Sequence, residues 1–213
     1  MIKNLKLGVK LLRYTFRIKT SIIVGAVFFS LGLLLLLLPG VGYFAGSTYW
    51  MVGGLFVTNT LVSLNASTMV LSSSAKRALQ TSIPTVLNLG YCLITYFLFM
   101  LFEILLWKVD GREQEPGVLV VYGLLAFILM IYNSYYKIFA LAVVFFAITF
   151  FWISWGGEQL ILTAASQLPL SVAAVIGLAA IMLGALLQYG IALLTYRMPM
   201  GKMVINQDLR KLM

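Results

Sequence analysis

The sequence predicts an all-helical, polytopic membrane protein with six spans and both termini on one side. Three observations predict it. First, 62% of the 213 residues are hydrophobic and only 10% are charged, against about 45–50% apolar and about 25% charged in a soluble domain. So little polar surface cannot cover so large an apolar content, and disorder needs the opposite composition. Second, the apolar residues fall into six runs of spanning length. Third, the basic residues lie almost entirely in alternate connections between those runs.

The first element is residues 1–20, an amphipathic helix. Lys3, Lys6, Lys10, Arg13 and Arg17 recur every three or four residues and form one narrow cationic stripe. Ile2, Leu5, Val9, Leu12 and Phe16 flank it on one side, and Leu7, Leu11, Tyr14 and Ile18 on the other. A broad apolar face with a thin cationic ridge suits a helix lying in the membrane interface. It serves either as an orientation anchor or as a docking element for a cytosolic partner. A cleaved signal peptide is the competing reading. Its charged region would be unusually long, and no convincing small-residue cleavage site follows.

The spans follow at Ser21–Leu38, Tyr49–Leu71, Pro84–Trp107, Gly117–Tyr135, Ile138–Trp155 and Pro169–Tyr196. A span takes about 20 apolar residues. Runs such as Leu33 to Leu38 do not alternate, which excludes the strands of a barrel. A 197–213 cytoplasmic tail completes a single transmembrane domain. Thirteen basic residues belong to the N-terminal segment, the connection after span two, the connection after span four and the tail, whereas Lys108 and Arg112 alone lie on the other side. The basic side is cytoplasmic, so the expected location is the plasma membrane with both termini inside. The net charge of +9 then reflects topology, and nucleic-acid binding is not expected. Trp50, Trp107, Trp152 and Trp155 all fall at the expected outer interface, where tryptophan anchors spans.

Two connections have a character of their own. After span two, Ser72, Ser73 and Ser74 can cap a short helix through Ala75, Lys76, Arg77, Ala78, Leu79 and Gln80. Pro84 then opens span three at a position that a helix start tolerates. The connection is either a plain link or a rigid helix lying parallel to the membrane. After span five, Gly156-Gly157 ends the helix, and Glu158–Leu168 is mildly apolar but too short to span. That suits a half-inserted external hairpin, with Glu158 favoured at the positive end of its helix.

Polar groups within the spans are few. Glu103 is the only ionisable one, one turn from Trp107 and Lys108. It either snorkels to the interface or pairs with Lys108, or it lines the outer part of a translocation path. Span two holds Asn59, Ser63 and Asn65, and span three holds Asn88. These residues serve helix–helix hydrogen bonding or line a polar path. Ala173, Gly177, Ala180 and Gly184 form a small-residue stripe that permits close helix packing.

Catalysis by this chain is not expected. Histidine is absent, no span contains aspartate, and Cys92 is the single cysteine. There is no nucleophile–base pair, no metal set and no intramolecular disulfide. The one Gly-Lys pair, Gly201-Lys202, lacks the preceding glycine of a phosphate-cradling loop.

The amphipathic start, the stretch from Leu71 to Pro84 and the short segment between spans five and six together resemble the transmembrane subunit of type 2 ATP-binding-cassette exporters, the type V fold. The resemblance covers the layout of the whole chain and is specific in sequence only around residues 71–84. It implies a permease that pairs with a second permease subunit, identical or paralogous, and works with a separate ATPase that binds ATP and Mg. This chain would bind no cofactor. Ser74, Lys76, Arg77, Leu79 and Gln80 would form the coupling helix that receives the ATPase stroke. The cargo would be an amphipathic peptide, lipid or drug. The alternative function is a non-catalytic membrane assembly protein, or a channel subunit regulated by a cytosolic partner. The chain is shorter than many members of that family, and it has no long external domain.

Overall fold

The computed structural model describes residues 18–37, 46, 48–50, 53, 76–110, 115–134, 139–152 and 158–198. Seven helices are defined: α1 Ile18–Leu37, α2 Lys76–Gln80, α3 Ser82–Asp110, α4 Pro116–Ser134, α5 Phe139–Trp152, α6 Glu158–Ala165 and α7 Leu170–Thr195. There is no strand among the described residues. Three apolar helices are long enough to cross a membrane: Lys76–Leu106, which joins α2 to α3, then α4 and α7. The all-helical, membrane-embedded character is therefore present in the fold. The described apolar stretch of α1 is shorter, at Lys19–Leu35, and α5 has 14 residues. Nearly all of the second expected span, the N-terminal stripe Lys3, Lys6, Lys10, Arg13 and Arg17, and the tail beyond Met198 lie outside the described residues.

Prolines set the helix starts. Pro116 is the first residue of α4, where its missing N–H costs nothing. Pro169 precedes α7 in extended conformation (φ −63°, ψ 145°), and its carbonyl accepts from the N–H groups of Val172 and Ala173. Pro84 acts differently. It stands inside α3, so the carbonyl four residues back, on Gln80, loses its helical N–H partner and meets the proline ring. The break between α2 and α3 falls one residue later, at Thr81. Hydroxyls bridge it: Thr81 Oγ1 donates to Arg77 O (2.7 Å) and Ser82 Oγ to Ala78 O (3.3 Å). The expected separate linking helix is thus an extension of α3, held in helical register across a proline-induced fault.

α3, α4 and α7 form the core, with α4 and α7 in the most extensive contact. α4 is the central helix, buried along Pro116–Gly123 and again at Ala126, Leu129, Met130, Asn133 and Ser134. α7 buries Ala173, Gly177, Ile181, Gly184, Ala185, Gln188, Ala192 and Thr195. That face recurs every three or four residues, and it absorbs three members of the small-residue stripe. The crossing is close. A Cβ on Gly123 would fall 2.8 Å from the carbonyl carbon of Gly177, and one on Gly177 would fall 2.6 Å from Leu119 O. In lipid, van der Waals contact of this kind holds helices together, because hydrocarbon tails are as apolar as the side chains they would replace.

An aromatic cluster ties α3 to α4 and α7. Tyr96 donates to Ala174 O of α7 (2.9 Å), and Tyr122 of α4 donates to Thr95 Oγ1 (2.5 Å). Tyr122 stacks on Phe99 at 5.5 Å. Trp50 does not sit at a lipid interface as expected. It is fully buried, stacked on Phe29 at 4.8 Å, and its Nε1 donates to Phe29 O. An indole buried with its N–H satisfied contributes area and orientation to the core.

α6 is too short to span, as expected: eight residues rise about 12 Å. It packs on the start of α4, where the Leu162 backbone meets Gly117 and Ala165 meets Val120 and Ala173. Gly117 is required there. A Cβ would fall 2.9 Å from Leu162 O, closer than real contacts allow.

Candidate functional site

Two regions hold the polar chemistry, one at each end of the three-helix core. Their relative placement follows from the helix register. α4 and α7 run parallel, since Gly123 meets Gly177 while Phe127 and Met130 meet Gly184. α3 runs antiparallel to both: Thr95 meets Tyr122 while Glu103 meets Glu115, and Tyr96 meets Ala174 while Arg77 meets Tyr196. The start of α2–α3 and the ends of α4 and α7 therefore share one end.

At that shared end, Arg77 and Arg197 converge on one ring. The Arg77 guanidinium lies 5.7 Å from the centre of the Tyr196 ring and that of Arg197 lies 5.5 Å from it, both within cation–π range. Arg197 Nε also donates to Tyr196 Oη at 2.8 Å. Arg77 and Arg197 are both exposed, and Lys76 is half-buried. Residues 120 positions apart in the chain thus make a single basic feature at one end of the bundle.

The rest of the expected coupling helix is not presented outward. Leu79 and Gln80 are each only 2% exposed, so both belong to the chain's own packing. Of the residues expected to form the coupling helix, Leu79 and Gln80 are thus turned into the fold. α2 joins α3 in register, and its 3.6-residue period sets Leu79 on the side opposite Arg77. Ser74 lies outside the described residues.

Just inside this end the core turns polar. Thr85 and Asn88 of α3, Asn133 and Ser134 of α4, and Gln188 and Thr195 of α7 are all buried. Continuing the register from the Gly184 contact puts Gln188 level with Asn133, and Asn88 about one turn away. Thr85 Oγ1 donates to Thr81 O and Ser134 Oγ to Met130 O, so these hydroxyls are satisfied within their own helices. Gln188 Oε1 is buried without a hydrogen bond. Sequence reasoning singled out Asn88 but passed over Asn133 and Gln188. Each is a lone carboxamide in an apolar run, and that signal was available. Asn59, Ser63 and Asn65 lie outside the described residues.

At the opposite end, Glu103 is 1% exposed. Its Oε1 accepts from the backbone N–H of Glu115 at 3.1 Å, immediately before α4. A carboxylate there serves the start of α4, where N–H groups lack partners. Lys108 is exposed, and no ion pair joins it to Glu103 among the described residues. Glu103 therefore neither snorkels nor pairs with Lys108: it is turned into the fold. Its second oxygen, Oε2, is buried without a hydrogen bond. No cluster of three metal-ligating side chains occurs among the described residues. No protein-family model matches this chain, and no curated protein or solved structure matches it.

Proposed function

We propose that this chain is the membrane permease subunit of an exporter driven by a separate ATPase, working as a pair with a second permease subunit. The observation that carries the reading is the cationic start of α2, with Arg77 exposed and Lys76 half-buried, joined through hydroxyl hydrogen bonds to a core helix. Lys76 and Arg77 stand at the first turn of a helix that continues, through the hydroxyl-bridged fault at Thr81, into α3. A push received at Lys76 would pass along one bonded helix to the aromatic cluster that joins α3 to α4 and α7. Of the expected coupling residues described, Lys76 and Arg77 are the ones open to a cytosolic partner, since Leu79 and Gln80 are buried. In this reading the basic end is cytoplasmic, and the membrane is the plasma membrane.

Burial of Leu79 favours a second reading, a non-catalytic assembly protein or a partner-regulated channel subunit, because a permease surface stripped of that anchor has less to hold an ATPase. One experiment separates the two. The tagged protein is purified from its native host with its partners, as wild type and as Lys76→Glu. The permease reading expects an ATPase to co-purify with wild type and to be depleted at least tenfold with Lys76→Glu, given about 1.4 kcal/mol or more for reversing an interfacial charge. Ion conductance in planar bilayers without nucleotide, with no ATPase recovered from wild type, would establish the channel reading instead.

A further inference from the structure

We infer that Arg77, Tyr196 and Arg197 form a binding site for the phosphate of an anionic phospholipid, whose acyl chain lies along the exposed face of α7. Three observations carry this, and none depends on the permease reading.

The first is a pair of cations held together with no acidic residue beside them among the described residues. Two guanidiniums 120 positions apart in the chain lie over one phenol ring, at 5.7 and 5.5 Å. The ring and the Arg197–Tyr196 hydrogen bond restrict both side chains. The acidic residues among those described, Glu103, Asp110, Glu115 and Glu158, all belong to the opposite end, by the register above. An anion bridging the two guanidiniums must come from outside the described chain. Guanidinium forks match phosphate oxygens bidentately.

The second is what leads up to the pair. Leu183, Leu186, Leu187, Gly190 and Leu194 recur at three- and four-residue intervals on α7, and every one is exposed. Leu194 is 79% exposed and lies one turn before Arg197. An added Cβ at Gly190 would meet nothing within 4 Å, so the stripe is notched at its middle. An apolar strip running for three turns into a cationic pair has the polarity of a phospholipid. The strip gives an acyl chain a path to the cations that a free phosphate would not use.

The third is position. The pair caps the ends of two helices that are long and apolar enough to span a membrane. Headgroup phosphates lie where such helices end, and anionic leaflets attract each exposed arginine there.

The test is native mass spectrometry of the purified full-length protein in detergent, with phosphatidylglycerol or phosphatidylcholine of identical acyl chains titrated in. Wild type is expected to bind one phosphatidylglycerol in preference to phosphatidylcholine. Arg77→Gln or Arg197→Gln is expected to weaken that binding about fivefold, and the double variant about 30-fold. Phosphatidylcholine binding should stay unchanged. Gly190→Leu fills the notch and is expected to weaken phosphatidylglycerol while sparing the cations. Inorganic phosphate at millimolar concentration should fail to displace the lipid. Equal retention of the two lipids by wild type overturns the proposal, as does undiminished phosphatidylglycerol binding by a double variant with wild-type melting. Full displacement by inorganic phosphate also overturns it, in favour of a simple anion site. Recovery of an acidic protein at Arg77 and Arg197 with no lipid preference would overturn it in favour of a protein contact.

Discussion

Gly177→Ala tests the helix crossing on which the fold rests. The added Cβ would fall 2.6 Å from Leu119 O and closer still to Tyr96 Oη. The Leu119 oxygen is backbone, held by α4's own hydrogen bonds, and cannot rotate away. Relief to ordinary contact distance requires α4 and α7 to separate by about 1 Å at the crossing. Overpacking of this kind costs about 1–3 kcal/mol, and a backbone neighbour places this case toward the upper end. Tyr96 would also be pushed from its 2.9 Å bond to Ala174 O, worth about 1 kcal/mol. Against this, alanine is favoured over glycine in a helix by about 1 kcal/mol. The net expectation is a loss of about 2–3 kcal/mol. Gly190→Ala provides the control. It is the same change in the same helix with open space around it, so it should be neutral or stabilise by up to about 1 kcal/mol. Gly184→Ala should fall between them. Its Cβ would lie 3.0 Å from Phe127 Cα and 3.1 Å from the flexible Met130 thioether. Thermal unfolding in detergent, followed by loss of the monodisperse peak on size exclusion, reads the order. For a chain of this size about 2–3 kcal/mol corresponds to a drop of roughly 5–10 °C. If Gly177→Ala melts with Gly190→Ala, the close crossing of α4 and α7 is refuted.

Other consequences are equally direct. In a Cys92→Ala background, single cysteines at positions 76 and 197 should label from the same side of the membrane, and one at position 112 from the opposite side; labelling of positions 76 and 112 from one side would break the topology. Glu103→Ala should destabilise the protein by about 1–2 kcal/mol, because the Glu115 N–H loses its acceptor. Glu103→Gln keeps a carbonyl oxygen and should retain most of that stability, so equal loss in both variants would point to a role for the carboxylate beyond the hydrogen bond. Tyr122→Phe should cost about 1 kcal/mol through the lost bond to Thr95. The effect stays small because Thr95 Oγ1 still donates to the carbonyl of Tyr91; a loss above about 3 kcal/mol would contradict that account.

Composition and period were enough to determine several things. An excess of apolar over charged residues forces helices into lipid, because only internal hydrogen bonding satisfies a backbone there. The expected starts at Gly117 and Pro169 differ from the observed starts of α4 and α7 by one residue, since proline marks each of them; Pro84 instead stands inside the long helix Lys76–Leu106. The small-residue stripe on α7 was legible as a packing face because its spacing is helical. What packs against it was not legible: any spanning helix offers an apolar surface, and only the tertiary structure selected Gly123 of α4. The same applies to Leu79, which reads as part of a short connecting helix that contacts a partner, yet is buried. Whether α2 stands alone or continues α3 depends on which way the chain turns at Pro84, and that fixes which residues of α2 face inward. Trp50 reads as an interfacial anchor from its place at a run's edge, yet Phe29 and the face of α3 enclose it. Likewise, Arg77 and Arg197 are unremarkable charges in the sequence. Only the antiparallel pairing of α3 with α7 sets them over one ring, because sequence specifies each helix's faces while contact between distant faces is decided by how the helices cross.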